Sequence, residues 1–107
     1  MQAPLRQVLS ASGSTEWFRV NSGLCQVRLD ATAGNGFGSG NVKLEIKSAA
    51  GNALPMVKDN AVMTYTISQA VNIEIPQGTE IRATLASATS PTLDVQILEI
   101  ANAPFRA

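Results

Sequence analysis

The residues able to do chemistry in this chain are few. Eight carboxylates (Glu16, Asp30, Glu45, Asp59, Glu74, Glu80, Asp94 and Glu99), one thiol (Cys25) and no histidine make up the inventory. Without an imidazole, Ser-His-Asp and Cys-His triads are impossible, and so are histidine-based zinc sites. Paired carboxylates could in principle hydrolyse a glycosidic bond, which requires two carboxyl groups roughly 5–9.5 Å apart in a cleft. Four of the eight (Asp30, Glu45, Glu74, Asp94) fall on the outward parity of strand-like runs, where a solvated face accounts for them. The turn Asp59-Asn60 offers oxygen ligands but lacks the spacing of an EF-hand. Gly34, Gly36, Gly38 and Gly40 suggest a phosphate cradle, but such a cradle needs a helix N-terminus after it. Here Asn41-Val42-Lys43-Leu44-Glu45-Ile46 follows, which reads as a strand. No cofactor or metal is expected, and the chain is not expected to be an enzyme.

Composition narrows the partners. Lys plus Arg number 8 and Asp plus Glu number 8, so the formal net charge is zero. The basic residues Arg6, Arg19, Arg28, Lys43, Lys47, Lys58, Arg82 and Arg106 are scattered. Nucleic-acid binding requires them clustered, so no nucleic-acid partner is expected. Charged residues make up 15 % of the chain, against about 25 % in ordinary soluble domains. A surface so poor in charge has little protection against self-association. Apolar residues reach 45 % of 107 residues, enough for the core of one domain spanning 1–107. A lone cysteine makes no internal disulfide. Neither a signal peptide nor an apolar run of membrane-spanning length is apparent, so no membrane partner is expected.

The elements that must position these residues are strands. Cys25-Val27-Leu29, Val42-Leu44-Ile46, Val71-Ile73-Ile75, Ile81-Ala83-Leu85 and Leu93-Val95-Ile97 each alternate with polar residues. Period 2 gives each run one buried and one wet face. Shorter runs occupy Leu5 to Leu9, Thr15 to Val20 and Ala61 to Ile67, with turn residues between them. Strands every 8–12 residues or so predict an all-β fold, and one-sided alternation predicts antiparallel pairing. The expected architecture is an antiparallel β-sandwich of jelly-roll type with eight or nine short strands, the alternative being a partly open β-barrel. Residues 31 to 40 read as a long flexible loop in which Phe37 is either tucked over a sandwich end or offered to a partner. Trp17-Phe18 places aromatics on both faces of one strand, so one is core and the other is covered or exposed. Cys25 lies on the apolar parity and reads as core. Leu98 and Ile100 break the parity of the last strand, implying a β-bulge or burial on both faces. An N-terminal arm, 1–13, and a C-terminal tail, 101–107, flank the sandwich.

The segment Ile75-Pro76-Gln77-Gly78-Thr79-Glu80-Ile81-Arg82-Ala83 carries a resemblance. Its pattern, an apolar residue, then Pro76, Gly78, and an apolar residue followed by Arg82 and Ala83, resembles a turn of small virion proteins of tailed bacteriophages. Trp17 near the N-terminus, the strand Val42 to Lys47 with its Gly51-Asn52 turn, and the last strand Leu93 to Ile100 extend the similarity over residues 15 to 100. The resemblance implies a head decoration, or cement, protein: a β-sandwich on the outer surface of the capsid. The implied partners are the major capsid protein and further copies of the chain, as a symmetric homodimer or homotrimer. Its place would be the virion, after synthesis in the host cytoplasm. Candidate contacts are Leu5 and Val8 of the arm, Trp17, Phe37, and Pro104, Phe105 and Arg106 of the tail. The arm is expected to add a strand to a neighbour. The competing expectations are a receptor-binding tail-fibre or baseplate module and a carbohydrate-binding module. The second would call for several exposed aromatics, and aromatics are only 5 % of this chain.

Overall fold

The computed structural model describes residues 3–32 and 36–100. Twelve strand segments follow one another: β1 (Leu5–Leu9), β2 (Gly13–Ser14), β3 (Phe18–Val20), β4 (Leu24–Ala31), β5 (Asn41–Lys47), β6 (Ala53–Pro55), β7 (Val57–Lys58), β8 (Ala61–Val62), β9 (Thr64–Tyr65), β10 (Gln69–Glu74), β11 (Thr79–Ala86) and β12 (Leu93–Glu99). All of the strand pairings are antiparallel. One sheet has the order β1-β12-β4-β10. In the other, β11 and β5 are central; β2 and β3 share the outer side of β11, while β6 and β9 share the outer side of β5. Counting each shared edge as one strand, and setting aside β7 and β8, which pair only with each other, leaves eight, ordered first-eighth-third-sixth and second-seventh-fourth-fifth. That order is the double Greek key of a jelly roll, and the antiparallel β-sandwich expected from the sequence is the fold observed.

Period-2 alternation builds its core. Cys25, Val27, Leu29, Ile73, Leu93, Val95 and Ile97 come from the first sheet; Phe18, Val20, Val42, Leu44, Ile81, Ala83 and Leu85 come from the second. Each large aliphatic side chain so buried contributes about 1.5–3 kcal/mol. Cys25 is a core residue, as its parity required, and burial together with the nearby Glu99 charge pushes its thiol up to about 11.

Two edge strands are interrupted, each by a definable device. Ser14 faces Thr84 and Phe18 faces Ile81, so Thr15, Glu16 and Trp17 stand opposite only Arg82 and Ala83. This is a β-bulge of one extra residue. It is pinned by Thr15, which is buried: its N–H donates to the Ala83 carbonyl (2.9 Å), and its Oγ1 accepts from the Ala83 N–H (3.2 Å). The bulge changes the parity of the edge, and so Phe18 enters the core while Trp17 lies on the outer face. The second interruption lies between β6 and β9. The Met56 N–H still donates to the Leu44 carbonyl (2.9 Å), and the Met63 N–H closes back onto the Met56 carbonyl (3.0 Å). Between them, β7 and β8 leave the sheet as a separate hairpin. Its turn residues Asp59 (φ 55°) and Asn60 (φ 65°) both have positive φ, as a two-residue type I′ turn requires.

Several expectations need correction. The described part of the 1–13 arm is built into the fold: Leu5–Leu9 pairs in full register with the chain's own β12. Residues 36–40 of the expected flexible loop are packed. Phe37 is only 8 % exposed, and Gly38 (φ 59°) sits so close to Thr89 that a Cβ would meet its carbonyl oxygen at 2.6 Å. At Gly40 a Cβ would collide with the Ala86 carbonyl. These glycines are there for close approach between loops. No bulge interrupts β12: its ladder with β4 runs unbroken from Leu93↔Ala31 to Glu99↔Cys25, and Leu98 is half-buried on the outer face. Asp94, expected in solvent, is buried beneath the Arg6 guanidinium, which donates from Nη2 at 2.7 Å and from Nε at 3.1 and 3.2 Å.

Candidate functional site

Strand order brings four connections together at one end of the sandwich. Leu9 faces Leu93, Leu93 faces Ala31, and Leu29 faces Gln69 in one sheet. Gly13 faces Leu85, Ala86 faces Asn41, and Val42 faces Tyr65 in the other. Residues 10–12, 32, 36–40, 66–68 and 87–92 therefore share that end, and none of them is charged. Instead they hold Ser10, Ser12, Thr32, Ser39, Thr66, Ser68, Ser87, Thr89, Ser90 and Thr92 among glycines and alanines. Ile67, 67 % exposed, stands among them.

The loops brace one another through backbone bonds. The Thr89 N–H donates to the Gly38 carbonyl (2.9 Å), the Thr92 N–H to the Gly36 carbonyl (2.8 Å) and the Thr32 N–H to the Thr92 carbonyl (3.2 Å). Ser12 Oγ accepts from the Ala88 N–H at 2.9 Å. Phe37 closes the core beneath them. Phe37 therefore takes the first of its two expected places, tucked over the sandwich end, beneath the loops. Neutral, hydroxyl-rich loops held in one shape can form hydrogen bonds to a partner without burying a charge.

The outer face of the second sheet is organised around Trp17. The Arg82 guanidinium lies 4.5 Å from the ring centroid and Lys47 Nζ lies 5.8 Å from it. Arg82 Nε donates to Glu45 Oε1 (2.8 Å), and the Thr84 hydroxyl donates to the same oxygen (2.7 Å). Because Thr84 spends its proton on the carboxylate, Ser14 Oγ donates to Thr84 (2.8 Å). Lys47 reaches Glu80 at 3.8 Å. Partial burial would raise the Glu45 carboxyl, but the Thr84 and Arg82 hydrogen bonds and the Arg82 and Lys43 charges outweigh it and hold the group below its ordinary value. The half-buried Trp17 is thus a clamp over paired charges. A sugar-stacking platform would present an uncovered ring flanked by further aromatics.

The family-like turn is a type II turn: Gly78 (φ 84°) takes the position that needs positive φ, and the Thr79 N–H donates to the Pro76 carbonyl (3.1 Å). It ends at the start of β11, the strand that delivers Arg82 to Trp17 and Glu45. Leu5 packs against the core, whereas Val8 is 52 % exposed on the outer face of β1. These candidate residues do not converge: Val8 lies in the edge strand of one sheet, Trp17 on the outer face of the other, and Phe37 beneath the loop end. Pro104, Phe105 and Arg106 lie outside the described residues.

Sequence reasoning missed the charge-free loop end. The signal was present, since the loop residues are all uncharged, but only strand order shows that four separate loops meet. Among the described residues, no group of three or more His, Cys, Asp and Glu side chains gathers to hold a metal ion, and no helix is long and apolar enough to cross a membrane. No protein-family model matches the chain, and neither the curated proteins nor the solved structures contain a match to it.

Proposed function

We propose that this protein is a structural virion component, a capsid decoration protein that docks on the outer surface of a phage head and clamps neighbouring major capsid proteins. On this reading it is no enzyme and needs no cofactor. The observation that carries the reading is the charge-free, cross-braced loop end of the jelly roll. A surface of this kind costs less to desolvate than a charged one, and its described loops are already braced to one another, so less entropy is lost when it docks. Repetition over a symmetric shell turns a modest contact into firm attachment. The turn at Pro76 and Gly78 adds the resemblance to small phage virion proteins. The jelly roll is compatible with the role without requiring it, since one fold hosts many functions.

The reading is tested by adding purified protein to heads that lack it and sedimenting the mixture. Saturable co-sedimentation at a fixed number of copies per head is expected, with little loss as salt is raised, because the docking end carries no charge. Protein left entirely in the supernatant overturns the proposal.

A further inference from the structure

Among the described residues, five large apolar side chains are well exposed: Val8, Leu54, Val57, Val62 and Ile67. Val8 is on the edge strand β1 of the first sheet and Ile67 is in the loop end. The other three, Leu54 (46 % exposed), Val57 (56 %) and Val62 (39 %), belong to one short stretch, the β6 edge and the β7–β8 hairpin that leaves it. The hairpin is unusual in this molecule. It pairs with neither sheet, all six residues from Val57 to Val62 are exposed, and Val57 stands directly opposite Val62. An isolated two-stranded ribbon is marginal in water, and its outer strand edges leave backbone donors and acceptors open to another chain.

We infer that the β7–β8 hairpin is a self-association element, and that its occupant is the same hairpin of a second copy related by a two-fold axis. Edge-to-edge pairing makes a four-stranded ribbon from two marginal ones. The Val57–Val62 pairs of both copies then share one face, with Leu54 at its margin. Charge supports a second copy as the occupant. Over residues 53–73 the only charged side chains are Lys58 and Asp59, adjacent and of opposite sign, at the hairpin tip. Each copy is neutral in this stretch, so pairing brings together no excess of like charge, and each Lys58 can meet an Asp59 across the axis. A two-fold contact is self-complementary and closes at two copies. This inference goes beyond the shell docking of the proposed function, and it is tested without capsids, so its failure is distinguishable from failure of shell docking.

The test is sedimentation equilibrium of the full chain over a wide concentration range. The expected result is a reversible monomer–dimer equilibrium that stops at twice the chain mass. Val57→Lys and Val62→Lys, both at solvent-exposed hairpin positions outside the core, should each weaken the dimer at least tenfold while thermal unfolding of the monomer is unchanged. Val8→Lys, in the edge strand of the other sheet, should leave the dimer intact. A wild-type chain that stays monomeric at the highest concentration reached overturns the inference. So does a dimer that survives both hairpin variants, or one that is lost only with Val8→Lys. An open-ended series of larger species also overturns it, because it would show a head-to-tail contact instead.

Discussion

Replacing Phe37 with alanine separates a core plug from a partner contact. The ring is 8 % exposed and closes the core beneath four loops. Its backbone carbonyl accepts from the Gly40 N–H at 2.9 Å, while the flanking Gly36 and Gly38 carbonyls are bonded to Thr92 and Thr89. Those bonds hold the loop above the ring, so collapse into the vacated space is only partial. Truncating a buried Phe costs about 3–5 kcal/mol; the lower figure, about 3 kcal/mol, suits a ring at the end of a sandwich. Domains of this size are stable by about 5–15 kcal/mol, so Phe37→Ala should remain folded with much of its margin gone. At about 4–8 °C per kcal/mol, the melting temperature should fall by at least about 12 °C. Urea denaturation followed by Trp17 fluorescence provides the measurement, with a lower midpoint and an unchanged slope expected. A loss under about 0.5 kcal/mol, the range of ordinary surface substitutions, would refute the reasoning. Loss of head binding in a variant of unchanged stability would instead make Phe37 a contact residue.

Four further perturbations probe other parts of the account. Gly38→Ala forces a side chain into a left-handed conformation and against the Thr89 backbone, and should cost about 2–4 kcal/mol by the same denaturation assay. Gly51→Ala, at φ 88° with open space around it, carries only the backbone strain and should cost about 1 kcal/mol. The Glu45 carboxyl is held below its ordinary value near 4.5. Its ionised form therefore stabilises the fold above that pH, and the contribution is lost as pH falls through the lower folded value. Stability measured against pH should thus fall less steeply in the acid range for Glu45→Gln than for the wild type. Cys25, raised from 9.0 to about 11 by burial and the Glu99 charge, ionises more readily unfolded than folded. Stability should decline as pH rises from about 9 towards 11, and a thiol reagent at pH 8 should label the unfolded chain but not the native one.

What was legible in the sequence was whatever local alternation encodes. The five long strands could be read because apolar and polar residues alternate on a face that packs in one direction. Lateral neighbours could not be read. Asp94 has the parity of a wet residue, and only the arrival of β1 beside β12 brings Arg6 over it, from a position 88 residues away in the chain. The run Ala61 to Ile67 looks like one strand, yet it is split because Ala61 and Val62 belong to the hairpin while Thr64 and Tyr65 belong to the sheet. The glycines of residues 36–40 looked like freedom. Their role is contact, which depends on the Ala86–Thr92 loop that folds against them. Trp17 and Phe18 point to opposite faces, as adjacent strand residues must, and the bulge at Thr15 decides which of them enters the core. Of the candidate contacts, Val8 is exposed and Trp17 half-buried, while Phe37 is built into the core. The charge-free loop end was invisible for the same reason as the Asp94 pairing: four uncharged loops become one surface only through the jelly-roll order.

The central claim is that this jelly roll sits on the outside of a capsid. Its most direct test is a reconstruction of the virion that carries it. The account predicts density for one such sandwich at each equivalent position on the outer surface of the head, with residues 10–12, 36–40, 66–68 and 87–92 turned towards the shell. Density for the sandwich at the tail tip or baseplate, or none on the head, would contradict it.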